Sequence, residues 1–284
     1  MPLRVAVIGA GRMGQGLALA LSRAGAKVTL LGRRVRPVPA PLVVQVDDWA
    51  GGCREADVLL IATPDGVVPA IAERLATEQV VSARQAVLHL SGLLDRDALR
   101  ALDGTSAGLG SFHPLQTVSD PAAAPERLRG AYAGIEGDGR ALAAGEALAS
   151  LLGMTPVRIP PGAKPAYHAG ATLVANYTVV LTGMAVRLAE EAGVPTDVAA
   201  KIYLPLLHGA ALNLDRLAPA DALTGAIRRG DTATVAAHLA ALSSADRALY
   251  AVVGLEALAL SRRAGLEEGL AAEVESVLRA ATGR

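Results

Sequence analysis

Lys164, His168, Thr172 and Asn176 recur at every fourth position in a segment of helical propensity. One helix face therefore presents an ammonium, an imidazole, a hydroxyl and a carboxamide. An α-helix advances about 12 Å over eight residues and leaves His168 and Asn176 only about 80° apart around its axis, a span suited to an extended substrate. Reduction of a carbonyl or imine at such a face needs a proton from the protein. His168 is the first acid/base candidate by intrinsic pKa and Lys164 the second. Asn176 can orient substrate or water but transfers no proton itself. The competing reading is a polar network satisfied within a helix bundle.

Two further clusters carry polar chemistry. His113 follows an apolar run and precedes Pro114, where an imidazole can face a substrate without interrupting a helix; a histidine capping a loop gives the same local sequence. Ser111 and Gln116 beside it offer neutral hydrogen bonds, and Phe112, the only phenylalanine, is expected in the core. Farther on, Leu223-Thr224-Gly225-Ala226-Ile227-Arg228-Arg229-Gly230-Asp231 reads as a shaped turn. Asp231 caps the amide of residue 233 or 234, and Arg228 or Arg229 is available for a substrate carboxylate or phosphate, or for a structural Arg-Asp network.

The elements that must position these groups begin at the N-terminus. Arg4 to Ile8 reads as a strand running into Gly9-Ala10-Gly11-Arg12-Met13-Gly14, the spacing of a dinucleotide-binding turn. Gly9 makes the tight turn, Gly11 lets backbone approach a pyrophosphate, and Gly14 permits close packing of helix on strand; Arg12 and Met13 complete the loop. The helix through Leu17 and Leu21 ends at Gly25, and Lys27 to Leu31 is the second strand. That strand ends in Gly32-Arg33-Arg34, where an NAD site carries an acidic residue. Arg33 is the first choice to clamp the 2'-phosphate of NADP, with Arg34 a second donor or a stacking surface, unless both are solvated. A later strand over 57–62 delivers Thr63-Pro64-Asp65 to the ligand edge of the sheet, so Thr63 and Pro64 join the cofactor set.

The remaining pattern is an α/β Rossmann-type N-terminal domain followed by an all-α C-terminal domain. Further strands are expected at 42–47, 80–81, 86–90, 109–117, 131–135 and 155–159, with helices at 95–102 and 138–152. Pro156, Pro160, Pro161 and Gly162 suggest a boundary near 160, giving an NADP-binding domain at 1–160 and a helical substrate and dimerisation domain at 161–284. Helices are expected at about 164–192, 196–214, 231–243, 245–263 and 267–281.

Composition narrows the function classes. Lys plus Arg equals Asp plus Glu at 27 each, so no overall charge draws in nucleic acid or an anionic membrane. Cys53 is the single cysteine, which excludes an intramolecular disulfide and agrees with a cytoplasmic setting; the start shows no secretory leader pattern. No metal-ligand spacing, nucleophile elbow or Walker loop is present. Mean hydropathy is +0.37, and Pro165 to Val186 contains no charged residue. Its polar interruptions at His168, Thr172, Asn176, Tyr177 and Thr178 favour a helix buried between domains or subunits over a membrane span.

Gly9 to Gly14, Gly110 to Gln116, Tyr167-His168 to Asn176-Tyr177, and Leu223-Thr224-Gly225 with Arg229-Gly230-Asp231 resemble one family along nearly the whole chain. It joins a Rossmann-like NADP-binding domain to a C-terminal domain of uncharacterised family 2520, within the pyrroline-5-carboxylate reductase and 6-phosphogluconate dehydrogenase-like fold group. The resemblance implies a Rossmann-type domain, a helical second domain and a homodimer. Ala226 stands where related chains have proline, and the late glycine-rich signature of pyrroline-5-carboxylate reductases is missing. Lys164 and Asn176 echo the Lys/Asn arrangement of β-hydroxyacid dehydrogenases without its glycine motif. The expected function is NADP(H)-dependent hydride transfer to or from a small carbonyl or imine metabolite in an interdomain cleft. The alternative is a non-catalytic NADP(H)-binding regulator or assembly protein.

Overall fold

In the computed structural model, which describes residues 1–46 and 48–282, the first part of the chain builds one eight-stranded sheet. The strands are β1 (Arg4–Ile8), β2 (Lys27–Leu31), β3 (Val44–Gln45), β4 (Val58–Ile61), β5 (Ala86–His89), β6 (Gly108–Pro114), β7 (Tyr132–Gly137) and β8 (Thr155–Arg158). Their spatial order is β3-β2-β1-β4-β5-β6-β7-β8. Strands β1 to β6 pair in parallel, β7 runs antiparallel to β6, and β8 is parallel to β7.

Helices cover both faces, so successive residues of the central strands are buried on opposite sides. Val5, Val7, Leu60, Leu88 and Phe112 join one core with Leu17 and Leu21 of α1 (Arg12–Arg23) and Leu148 of the later helix Gly139–Leu152. Ala6, Ile8, Leu59, Ile61 and Val87 join the other, with Cys53 of α2 (Trp49–Glu55) and Val68 and Leu75 of α3 (Val68–Thr77). The short α4 (Ala124–Leu128) and α5 (Gly139–Leu152) lie with α1 on the first core. Alternation with both sides covered explains why the strands read as continuous apolar runs.

Three expected elements differ. The third strand, expected at 42–47, is confined to Val44–Gln45, and Asp47 lies outside the described residues. Val80 and Val81 form no strand: Gln79 turns at φ +50° and the Val80 amide closes back on the Leu75 carbonyl, so these residues terminate α3. The helix expected at 95–102 is a 3-10 run, Arg96–Thr105, started by the Asp95 carboxylate accepting from the Asp97 amide.

After β8 the chain turns into α6 (Lys164–Thr172), a π-helical turn (Leu173–Tyr177) and α7 (Thr178–Glu191). The compact units of the chain are Met1–Val180 and Leu181 onward. The second unit contains α8 (Thr196–Ile202), α9 (Leu204–Leu214), α10 (Pro219–Ala222), α11 (Ala226–Arg229), α12 (Thr232–Ala241), α13 (Ser244–Arg263) and α14 (Glu268–Ala281). Pro205, in the first turn of α9, supplies no amide to continue α8, which splits the single helix expected at 196–214. The core of this unit repeats at helical spacing: Val235 and Leu239, Ala251 and Leu258, then Ala271, Val274 and Leu278. The architecture is a mixed α/β Rossmann-like sheet domain followed by a largely helical C-terminal domain.

The helix through Pro165–Val186, expected to be buried between domains or subunits, is uncovered within this chain. The run Lys164–Glu191 is long and apolar enough to cross a membrane by length and composition, and none of its apolar window is buried within the chain. Leu173, Val174, Tyr177, Val179 and Val180 are exposed. Lys164, Tyr167 and His168 tie the first turns of this helix to the sheet, and Arg187 near its end pairs with Asp246.

Phe112 is fully buried at the middle of β6. Truncation to alanine is expected to cost about 3–5 kcal/mol, read as a lowered midpoint in urea with an unchanged slope.

Candidate functional site

The glycine loop has the geometry its spacing predicts. Gly9 turns at φ +118°, and a side chain there would come within 2.6 Å of the Ala62 carbonyl oxygen. A side chain on Gly14 would overlap the Gly9 carbonyl, whereas Gly11 faces open space. Gly11 also caps α1 without any side-chain acceptor for the first amides, which leaves those donors for an anion. Arg12 is exposed and Met13 half-buried at the start of the helix. Across the loop, Thr63 Oγ1 is buried without a partner and Pro64 is exposed. A cradle open at Gly11 with an orphaned hydroxyl opposite fits a dinucleotide.

Arg33 and Arg34 are exposed beyond β2. Arg36, unassigned from sequence, donates from Nη1 to the Ala10 carbonyl at 3.0 Å, and Gln15 Nε2 donates to the same oxygen at 2.8 Å. The third arginine of Gly32-Arg33-Arg34-Val35-Arg36 is thus the one that touches the glycine loop.

A second polar centre sits at the carboxyl ends of β4, β5 and β6, the edge where such sheets bind ligands. Lys164, at the first position of α6, is only 2% exposed. Its Nζ donates to the Ser91 carbonyl at 2.6 Å and to Ser111 Oγ at 2.7 Å. Ser111 Oγ in turn donates to Glu136 Oε2 at 3.3 Å, and Glu136 Oε1 accepts from the Arg96 amide at 3.3 Å. On the other side Ser91 Oγ donates to Asp65 Oδ2 at 2.8 Å and accepts from the amides of Leu93 and Leu94. Burial pulls the Lys164 ammonium down to about 8, opposed by the negative charges of Glu136, Asp65 and Asp95. Burial pushes Glu136 up, against its hydrogen bonds and the lysine charge.

Three imidazoles surround this ammonium. His89 is fully buried, and its Nε2 must carry the proton because it meets the Asp95 carbonyl at 2.9 Å. His113 Nδ1 lies 2.9 Å from the Tyr167 hydroxyl, and its ring meets that of His168 edge-on at 5.7 Å. Burial first, and the Lys164 charge among the further causes, lower both His89 and His113 to about 4. Nδ1 of His168 and Nδ1 of His89 are buried without partners. A side chain on Gly92 would overlap His168 Nδ1 and reach 2.8 Å from His113 Cε1, so only glycine leaves both rings where they are.

Of the residues expected at the site, the structure brings together Lys164, His168 and His113, while Thr172 is half-buried and Asn176 exposed farther along the helix. Asn176 lies in the π turn. That turn takes more residues per revolution, so it rotates Asn176 back toward the His168 face relative to an ideal α-helix. Arg228 and Arg229 belong to the second unit, where Arg228 Nη2 donates to the Ala264 carbonyl at 2.9 Å and Gly225 turns at φ +97°. Asp231 caps α12 by accepting from the Thr234 amide. Glu136 was missed; its signal was a single charged residue inside the apolar run Tyr132–Gly137.

Residues 1–114 match the model of a Rossmann-like domain, and residues 131–257 match a domain of unknown function, DUF2520. The chain thus joins a Rossmann-like domain to a DUF2520 region. Its fold is shared with a Bacteroides fragilis protein provisionally named an NADP oxidoreductase, at 19% identity and TM-score 0.63 over 100% of this chain and 99% of that one. A Plasmodium falciparum pyrroline carboxylate reductase with NADP bound aligns at 10% identity and TM-score 0.60, covering 99% and 97%. An imine reductase from Myxococcus stipitatus in complex with NADP+ aligns at 19% and 0.57, covering 99% and 94%. No curated protein matches the chain. At these identities the likeness is one of fold, a fold used by NAD(P)-binding oxidoreductases.

The two depressed histidines set a pH dependence. Between about pH 6.5 and 4 the unfolded chain takes up protons that the buried rings refuse, so stability falls as pH falls through that window. The slope of melting temperature against pH between 6.5 and 4 should be shallower in His89→Gln than in the parent; equal slopes would show that this ring does not set the dependence.

Proposed function

We propose that this chain is an NADP(H)-dependent oxidoreductase that reduces, or in reverse oxidises, a small carbonyl or imine metabolite. The observation that carries this reading is the buried Lys164 ammonium at the carboxyl edge of the sheet, in the same unit as a glycine loop shaped for a dinucleotide. Gly9, Gly11, Arg12, Met13 and Gly14 hold the pyrophosphate, Thr63 and Pro64 line the nicotinamide side, and Arg33 with Arg34 receive the 2'-phosphate. When bound, the nicotinamide supplies or accepts the hydride.

Lys164 is the proton donor in this reading. Held at about 8, its ammonium is charged at neutral pH yet gives up a proton more readily than a solvated lysine. The sequence ranked His168 ahead of it, and the geometry supports the reverse order: His168, with a free buried Nδ1, orients substrate beside His113. Ser91 and Ser111 aim the ammonium. Thr172 and Asn176 extend the same helix face toward the distal end of a substrate, and Arg228 or Arg229, in the second unit, is a candidate for an anionic group. Residues 1–160 are proposed for nucleotide and 161–284 for substrate and assembly, in a cytoplasmic protein that binds no nucleic acid.

A homodimer belongs to this proposal, with the uncovered apolar helix at its interface. Anchoring of the first turns by Lys164, Tyr167 and His168 favours a protein partner over a bilayer for the rest. Light scattering behind gel filtration is expected to give twice the 28.8 kDa chain mass, and Val174→Glu is expected to return the monomer; a monomeric parent would reject the dimer.

Calorimetric titration tests the cofactor. NADPH is expected to bind more tightly than NADH, and Arg33→Ala to weaken NADPH roughly tenfold or more with little effect on NADH. Lys164→Met is expected to lower turnover of an accepted carbonyl or imine by about 100-fold or more with NADPH affinity nearly unchanged. The pH profile of reduction should fall above about pH 8, where Lys164 loses its proton. Binding of neither nucleotide would remove the enzymatic reading; binding without hydride exchange across a substrate panel would favour a non-catalytic nucleotide-binding protein.

A further inference from the structure

Glu136 is a carboxylate that this reading leaves without a task. It stands on β7, the strand that reverses direction, and antiparallel register sets it opposite Ser111. Only 7% exposed, it accepts from the Arg96 amide with one oxygen and from the Ser111 hydroxyl with the other. The same hydroxyl accepts from Lys164 Nζ. A hydroxyl has one proton to give, so a Ser111 that accepts from the ammonium and donates to the carboxylate fixes the polarity of the chain Lys164, Ser111, Glu136.

We infer that Glu136, acting through Ser111, is the positioning residue that keeps the Lys164 ammonium charged and aimed at the substrate edge of the sheet. This rests on the assignment of Lys164 as proton donor. A purely structural Glu136 would tie β7 to the Arg96 segment and leave the lysine indifferent to it. Burying an ammonium without a counter-charge is costly, and the groups facing Lys164 define what is available. Asp65 follows β4 and is engaged by Ser91, Asp95 precedes the 3-10 run, and His89, His113 and His168 carry no negative charge. Among the described residues Glu136 alone reaches the ammonium through a single shared hydroxyl, and it leads the charges that hold the proton on Lys164.

The test needs neither substrate nor cofactor, because the chain has only three lysines, Lys27, Lys164 and Lys201. In full-length protein labelled with 15N-lysine, the Lys164 Nζ resonance is assigned by its loss in Lys164→Arg and followed against pH. In Glu136→Gln its midpoint is expected to move down by about 1 in pH, a tenfold loss of proton affinity, and to stay close to the parent in Glu136→Asp. An unmoved midpoint in folded Glu136→Gln overturns the inference. Should that variant fail to fold, Ser111→Ala breaks the same link: a lowered midpoint supports the coupling and an unmoved one overturns it. Turnover of the parent protein is measured separately with NADPH and a panel of carbonyls and imines. A lowered midpoint in Glu136→Gln beside a parent that turns over none of them sustains the coupling and sinks the proton-donor reading, whereas an unmoved midpoint beside an active parent sinks the coupling alone.

Discussion

An ammonium withdrawn from water is the constraint around which the sheet edge is arranged. A charged group in a low-dielectric interior is tolerated only with hydrogen-bond partners and compensating charge close by. Lys164 finds its partners on two different strand ends, the carbonyl of Ser91 beyond β5 and the hydroxyl of Ser111 on β6. Those atoms stay in reach because β5 and β6 are locked in parallel register, with His89 beside Ser111. The carboxylate arrives by a different route: β7 runs the other way, and its register sets Glu136 across from Ser111. A sheet parallel throughout would not pair those two residues in this way, so the topology and the electrostatics of the site are one arrangement.

The nucleotide loop and the lysine centre are joined by the short stretch after β4. Gly9 packs against the Ala62 carbonyl so closely that no side chain fits between them, which fixes the start of that stretch. Three residues later Asp65 accepts from Ser91 Oγ, and the same oxygen gathers the amides of Leu93 and Leu94. The turn that presents a carbonyl to Lys164 is therefore held by a residue whose own position follows from the glycine loop. Thr63, between them, keeps an unpartnered buried hydroxyl. Buried polar atoms in native folds usually have partners, so an orphan here points to a ligand group rather than to a packing defect.

Much of this was legible from residue order. The glycine spacing predicted the loop because each glycine answers a steric demand that acts within a few residues, and the apolar runs predicted the strands because both sheet faces are covered. Asp231 was readable as a helix cap because capping is local. Glu136 was not, because its partners Ser111 and Arg96 are 25 and 40 residues away and only strand reversal joins them. Arg36 hid for a similar reason: its bond to Ala10 depends on how the chain leaves β2. For the apolar helix after Lys164, composition reports a need to leave water, not whether the cover comes from the same chain. Arg228 was ambiguous in sequence, and its guanidinium donates to the Ala264 carbonyl that ends α13.

The proposed ranking of proton donors turns on the same buried charge. An isolated imidazole has the pKa best matched to neutral pH, which is why sequence favours a histidine. Inside this edge the order changes, because burial penalises whichever group is charged and every positive charge penalises the next. With Lys164 already charged and hydrogen-bonded, His89 and His113 fall to about 4 and remain neutral donors or acceptors. The lysine falls too, but from a higher starting value, and it stops at about 8 because Glu136, Asp65 and Asp95 hold its proton. One cation among neutral rings is the arrangement that leaves a transferable proton at neutral pH. The edge can hold that cation because Glu136, Asp65 and Asp95 all face the lysine, whereas for His89 and His113 burial outweighs the pull of the nearby carboxylates.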